Sequence, residues 1–101
     1  METKTKKETT EEVIPGAYTP FHCVSEQEKN LFEKVIKNLQ GVKYDPVLVS
    51  SQLVAGTNYK FFCNAKIVYP DAPWYTAMVM IFEPLPGKGE PYVTEIKKIT
   101  Y

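Results

Sequence analysis

One amphipathic helix followed only by strand patterns is the feature that most limits how this chain can fold. The helix is predicted over residues 26–40 and begins with a capping box, in which Ser25 and Glu28 each accept a hydrogen bond from the other's backbone N–H. Its apolar side chains recur at three- and four-residue spacing, at Leu31, Phe32, Val35, Ile36 and Leu39. Gly41 is the predicted stop, because glycine adopts the left-handed conformation at little cost. A helix with one apolar stripe needs a surface to cover.

Four strand patterns follow the helix and predict that surface. They cover residues 47–51, 57–68, 74–82 and 92–99, with Pro46 at the start of the first because proline cannot donate to a sheet ladder. In the second pattern, alternate residues share one apolar face, namely Tyr59, Phe61, Cys63, Ala65 and Ile67. The predicted fold class is α+β, with one long α-helix packed across a four- to five-stranded antiparallel sheet.

Length and charge limit the domain organisation and the partners. The chain has 101 residues, enough for one domain over residues 13–101, whereas residues 1–12 contain no apolar residue after Met1 and predict a disordered tail. Twelve Lys and Arg balance twelve Asp and Glu, which argues against nucleic acid and an anionic membrane as partners. No apolar run reaches the ~20 residues that span a bilayer, and residues 1–12 lack the apolar core of a secretory signal. We expect a cytoplasmic protein, or a secreted one if a signal peptide has been removed.

The sequence offers few side chains for catalysis or metal binding. One His and two Cys do not give the spacing of a closed zinc site, and no second histidine could serve Cys63 as a base. His22 and Cys23 are adjacent, which usually prevents their side chains from meeting in hydrogen-bond geometry; His22 is expected to be solvated or capping. The two thiols are predicted to be free and largely buried, with a Cys23–Cys63 bridge as the alternative. We expect no enzyme, no catalytic residue, no metal and no cofactor.

An apolar hairpin tip is the most unusual local feature. It lies between the first two strand patterns and consists of Gln52, Leu53, Val54, Ala55 and Gly56. Hairpin loops are usually polar, and here Gly56 alone could take a positive φ without penalty. Leu53, Val54 and Ala55 would be pushed toward water, which indicates a partner.

Two further segments are predicted to lie at the same end of the sheet as this tip. Successive hairpins of a meander alternate between its two ends, so the loop of Leu85, Pro86 and Gly87 shares an end with residues 52–56. The turn at residues 69–73 lies at the other end, and Trp74 beside it is predicted to be a core or strand-end aromatic. A third segment is an apolar arm that consists of Val13, Ile14, Pro15 and Gly16. Together with the two loops this arm would form a narrow wedge. The alternative is that the arm begins an edge strand.

These three segments resemble the cystatins, and within that family the stefins. Residues 52–59, Gln-Leu-Val-Ala-Gly-Thr-Asn-Tyr, resemble the QxVxG signature and its usual continuation; residues 13–16 resemble the stefin N-terminal segment, and residues 85–87 the Leu-Pro-Gly second loop. The resemblance covers residues 13–101 and implies a cystatin-like fold. It also implies reversible, non-covalent, tight-binding inhibition of papain-like cysteine proteases, such as papain and cathepsins of the L and B types.

The resemblance implies a role for each segment as well. Residues 52–56 would fill the centre of the protease groove, residues 13–16 would occupy the subsites that precede the catalytic centre, and residues 85–87 would cover the far side. A monomer is expected, with a domain-swapped dimer as the alternative if the 52–56 loop straightens. Because a fold does not fix a function, the alternative function is a non-inhibitory protein-interaction module on the same fold.

Overall fold

Residues 16–99 are described by the structure, a computed structural model of the chain. Over this range the chain forms one helix and five strands, in the order β1 (His22–Cys23), α1 (Glu26–Ile36), β2 (Val42–Val54), β3 (Gly56–Ile67), β4 (Trp74–Glu83) and β5 (Tyr92–Ile99). The tail predicted over residues 1–12 and the arm residues Val13, Ile14 and Pro15 lie outside the described residues. No helix within residues 16–99 is long and apolar enough to cross a membrane.

The five strands form one antiparallel sheet in the order β1-β2-β3-β4-β5. Each strand therefore pairs with its neighbours in sequence, which makes the sheet a meander. The predicted α+β arrangement, one helix on an antiparallel sheet of up to five strands, is confirmed. Because the hairpins alternate, the β2–β3 turn and the β4–β5 connection lie at one end of the sheet, and the β3–β4 turn lies at the other.

Helix α1 begins where the sequence predicts and ends four residues earlier than predicted. The capping box is present: Glu28 N–H donates to Ser25 Oγ at 3.2 Å, and Ser25 N–H donates to Glu28 Oε1 at 2.9 Å. Beyond Ile36 the chain tightens, with Leu39 N–H donating to the Ile36 carbonyl at 2.8 Å. Leu39 remains 40% exposed, so a further helical turn would gain no core contact and the predicted end at residue 40 is wrong.

The core lies between α1 and one face of the sheet. Phe32 packs on Phe61 with ring centroids 4.8 Å apart, and the sheet beneath the helix buries Val49, Phe61, Cys63, Val79 and Ile81. The predicted apolar face of β3 is therefore correct over its centre, although Ile67 at the end of the strand is exposed. The other face of the sheet carries no helix in the described part of the chain.

Strand β2 begins at Val42, five residues before the predicted start, and it contains Pro46 in its interior. The pairing with β3 is continuous up to Pro46 opposite Cys63 and resumes at Leu48 opposite Phe62, so Val47 is the extra residue of a β-bulge. Placing Pro46 at the strand start was wrong, because a bulge is a second place where a sheet tolerates a residue without an N–H.

The two cysteines have opposite environments. Both are free thiols, but only Cys63 is buried. Cys23 lies opposite Leu48, and Leu48 opposite Phe62, so Cys23 is on the face of the sheet that carries no helix among the described residues. The prediction of two largely buried thiols was therefore wrong for Cys23. Burial, assisted by the negative charge of Asp45, raises the pKa of Cys63 to about 12, so this thiol stays protonated and acts as a core residue.

Candidate functional site

The first described residues, from Gly16 onward, lie beside the hairpin tip. Gly16 N–H donates to the Leu53 carbonyl at 3.0 Å, Tyr18 bridges Gln52 in antiparallel sense, and Thr19 N–H donates to the Ser51 carbonyl at 2.8 Å. These bonds extend the edge of the sheet from β1 to the end of β2. Gly16 is thereby held beside the tip, as the wedge prediction requires of that residue.

The Gln52 side chain connects this N-terminal segment to the hairpin. Its Nε2 donates to the Gly16 carbonyl at 3.1 Å, and its Oε1 accepts from Asn58 Nδ2 at 2.8 Å. Asn58 lies directly opposite Gln52 in the ladder. Two consecutive hydrogen bonds through the Gln52 side chain therefore connect β3 to Gly16. Asn58 was not predicted from the sequence, because its pairing with Gln52 depends on a turn centred on Ala55.

The hairpin tip is narrower than the predicted five-residue loop. Leu53 lies opposite Thr57 and Val54 opposite Gly56, which leaves Ala55 as the one residue between the strands. Gln52, Leu53 and Val54 therefore belong to β2, and Gly56 begins β3. Leu53 and Val54 are nevertheless exposed, as predicted.

Gly56 is required at the tip for two separate reasons. Its φ of +119° lies in the region that favours glycine, which agrees with the predicted positive φ. In addition, a Cβ at this position would lie 2.6 Å from the Glu83 carbonyl oxygen and 2.7 Å from the Phe82 ring. The tip thus packs closely against the end of β4, a contact that sequence reasoning did not anticipate.

The second loop is a hydrogen-bonded turn at the same end of the sheet. Lys88 N–H donates to the Leu85 carbonyl at 2.9 Å, with Pro86 next and then Gly87 at φ +81°, the residue order that a type II turn requires. Leu85 is exposed at its tip. Gly56 and Leu85 line one cleft of about 350 Å³ together with Leu31 of α1. The predicted grouping of the two loops at one end is therefore seen in the structure.

A polar pair lies under these loops and was not anticipated. Tyr59 Oη donates to Glu83 Oε1 at 3.2 Å. Burial of Tyr59, together with the nearby Glu83 carboxylate, raises the pKa of this phenol to about 12. The tyrosine remains neutral over the physiological range and ties β3 to the last residue of β4.

The remaining candidates lie away from this end. Trp74 is the first residue of β4 at the opposite end of the sheet; it is 51% exposed, so it is a strand-end aromatic and not a core residue. His22 contacts the capping carboxylate, with Nε2 3.0 Å from Glu28 Oε2. No group of three or more His, Cys, Asp or Glu within residues 16–99 could hold a metal ion.

The described part of the tip presents mostly apolar side chains and backbone. Its exposed parts are the apolar side chains of Leu53, Val54 and Leu85 and two glycines, Gly16 and Gly87, whereas Gly56 is buried against the end of β4. The comparisons with known protein families, with curated proteins and with solved structures gave no match.

Proposed function

We propose that this chain is a reversible, non-covalent, tight-binding inhibitor of papain-like cysteine proteases, built on a cystatin-like fold. The hydrogen bond from Gly16 N–H to the Leu53 carbonyl, 3.0 Å long, carries the proposal. It places the N-terminal segment beside the hairpin tip, which itself packs against the end of β4. Gly16, the hairpin tip and residues 85–87, which belong to the three segments that resemble those of the stefins, thus lie at one end of the sheet.

The shape of this edge suits a groove better than a flat surface. It is thin, because the tip has Ala55 alone between two paired strands and because three of its positions are glycines. Its exposed apolar side chains favour a contact with the groove walls from which water is excluded. In the proposed complex, residues 52–56 fill the centre, Val13 to Gly16 occupy one side and residues 85–87 the other, and the substrate is excluded.

The loops are preorganised for such a contact. The tip is held by the β2–β3 ladder and by Gln52, and the second loop by its own turn bond. Loops that are already ordered lose little conformational entropy on binding, so more of their apolar burial appears as affinity. The inhibition needs no nucleophile, since it acts by occlusion alone.

The test is a titration of papain, and then of a cathepsin L-type enzyme, with the purified monomer while cleavage of a fluorogenic peptide is followed. The informative variant is Val54→Asp, which puts a carboxylate into the proposed dry contact. Its matched control is Val47→Asp in the same strand, because the two valines are exposed to 43% and 45% and Val47 lies at the bulge, away from the tip.

We expect nanomolar or tighter reversible inhibition by the wild type and by Val47→Asp. Val54→Asp should weaken the inhibition by about tenfold or more, as a substitution at the centre of an interface does. Absence of inhibition by verified monomer at micromolar concentration would overturn the proposal in favour of a non-inhibitory interaction module. Size-exclusion chromatography beforehand separates a domain-swapped dimer, whose binding edge would be altered.

A further inference from the structure

The end of the sheet opposite the tip carries an exposed apolar surface that the proposed function does not use. Val68 is 69% exposed, and Ile67, Tyr69 and Trp74 around it are exposed as well. Isolated exposed apolar residues are ordinary, but a contiguous group that includes Tyr and Trp is typical of binding surfaces. We call Val68, Tyr69 and Trp74, with the flanking Lys43 and Lys66, the far-end patch.

The far-end patch forms a shallow, open depression, and hydrogen bonds hold its backbone. These residues line a cleft of about 460 Å³, a size that accepts one or two bulky side chains. Val68 N–H donates to the Gly41 carbonyl at 2.9 Å, and Tyr69 N–H donates to the Ile67 carbonyl at 2.9 Å. Ala72, buried at 5% exposure, anchors the turn that follows. A partner would therefore meet a surface that is already shaped.

The charge of the cleft has one sign. Lys43 lies directly opposite Lys66, and Lys66 directly opposite Trp74, so two ammonium groups and an indole share one row across three strands. Lys66 Nζ lies 5.6 Å from the centroid of the Trp74 ring. No carboxylate is among the described residues that line the cleft; Asp45 lies two residues along β2, and Asp71 lies in the adjacent turn.

We propose that the far-end patch binds a protein segment in which one or two bulky apolar side chains are flanked by carboxylates. The apolar side chains enter the cleft over Trp74 and Val68, and the carboxylates pair with Lys43 and Lys66. A membrane surface fits less well, because lipid-binding segments carry four to eight basic residues, whereas this cleft has two. The two surfaces lie at opposite ends of β3, about 40 Å apart for twelve extended residues. The chain can then hold two proteins at once.

The binding of a partner to the far-end patch can be followed by tryptophan fluorescence. Trp74 is the one tryptophan of the 101 residues, so its fluorescence reports on the far-end patch. The probe is a blocked synthetic hexapeptide with two central leucines and two glutamates on each side. The matched control peptide has lysines in place of the glutamates, and vesicles of phosphatidylserine and phosphatidylcholine form a third arm.

We expect saturable quenching or a blue shift of Trp74 with the glutamate peptide and none with the lysine peptide or the vesicles. Lys66→Glu should weaken the binding about tenfold, since an attractive charge pair becomes a repulsive one, and Val68→Asp should weaken it as well. Equal binding of both peptides, vesicle binding without peptide binding, or no saturable change up to millimolar peptide would each overturn the proposal. None of these readouts involves a protease, so failure here is distinct from failure of the proposed inhibition.

Discussion

The side-chain amide of Gln52 donates to the backbone carbonyl of Gly16 over 3.1 Å, so a side chain of the hairpin holds the N-terminal segment in place. The oxygen of the same amide is occupied by Asn58. Gln52 thus acts on its neighbours within the molecule, whereas the resemblance to cystatins implied that it would fill the groove itself. This difference leads to the first prediction.

Gln52→Ala should weaken protease inhibition about fivefold, which corresponds to the loss of one hydrogen bond worth about 1 kcal/mol. The reason is that the segment ending at Gly16 would lose one of its two attachments to the tip. The same substitution in a shortened chain that starts at Tyr18 should cost less, because the Gly16 carbonyl is gone and only the bond from Asn58 remains to be lost. Equal losses in the long and short chains would contradict a role of Gln52 that acts through Gly16.

Gly16→Trp should reduce inhibition by more than about tenfold, because a large side chain beside the tip would collide with the groove wall. No described residue has a heavy atom within 4 Å of a Cβ built on Gly16, so within the free molecule the cost is limited to its φ of +85°. That strain is about 1–2 kcal/mol.

Gly41→Trp is the matched control for Gly16→Trp, since Gly41 has a φ of +91° and equally open surroundings beyond the helix. It should carry the same backbone strain and leave inhibition unchanged. Inhibition constants and melting temperatures of both variants check this prediction. Equal potency of Gly16→Trp and wild type would contradict it.

The capping carboxylate of Glu28 should make stability depend on pH in the acid range. Burial disfavours its ionised form, but hydrogen bonds from the Ser25 N–H, His22 and the Ser25 hydroxyl outweigh that effect, so the pKa of Glu28 lies below its usual value of 4.5. A carboxyl group whose pKa is lowered by folding stabilises the folded state above its unfolded pKa, and this stabilisation is lost as the pH falls through the folded pKa.

Glu28→Gln should therefore lower the free energy of unfolding by about 1 kcal/mol at pH 7, and the difference from wild type should shrink as the pH falls below the usual pKa of 4.5 and through the lowered pKa of the folded state. Glutamine keeps an oxygen for the Ser25 N–H, so the variant removes mainly the charge. Glu33→Gln, which removes a carboxylate at an exposed position of the same helix, serves as the matched control. Urea unfolding at a series of pH values measures both, and a constant difference between pH 3 and pH 7 would refute the prediction.

The thiols should differ sharply in reactivity. With its pKa raised to about 12, Cys63 is thiolate in roughly one molecule in ten thousand at pH 8, and it is buried. A chromogenic disulfide reagent should accordingly titrate one thiol, Cys23, in the native protein and two in guanidinium chloride. Cys23→Ser should abolish the fast native reaction, and two fast thiols in the native wild type would contradict the buried position of Cys63.

The local parts of the fold could be predicted from the sequence because their signals are local. The capping box at Ser25 needs four consecutive residues, and the alternation along β3 needs the residues of one strand. The parity of successive hairpins then predicted which loops share an end. The end of α1 could not be predicted in this way, since it depends on whether Leu39 finds a core contact, which is a tertiary property.

The bulge at Val47 shows why strand β2 was predicted too short. Tyr44 lies opposite Ala65 and Val49 opposite Phe61, so both face the helix although they are five residues apart. Five residues of regular strand would place them on opposite faces. The extra residue interrupts the alternation, and a pattern that changes phase in its middle is not recognised as one strand. The Gln52–Asn58 contact was missed for a related reason, because it depends on the register set by the turn at Ala55.

Gly56 packs against the Glu83 carbonyl with no room for a side chain between them, which brings the hairpin tip close to the start of the β4–β5 connection. A change of side-chain rotamer at Gly56 cannot alter this approach, because glycine has no side chain. If this edge enters a groove, the separation of the two loops determines which groove width it fits. Target selection would then depend first on the width of the protease cleft and only afterwards on the chemistry of its walls.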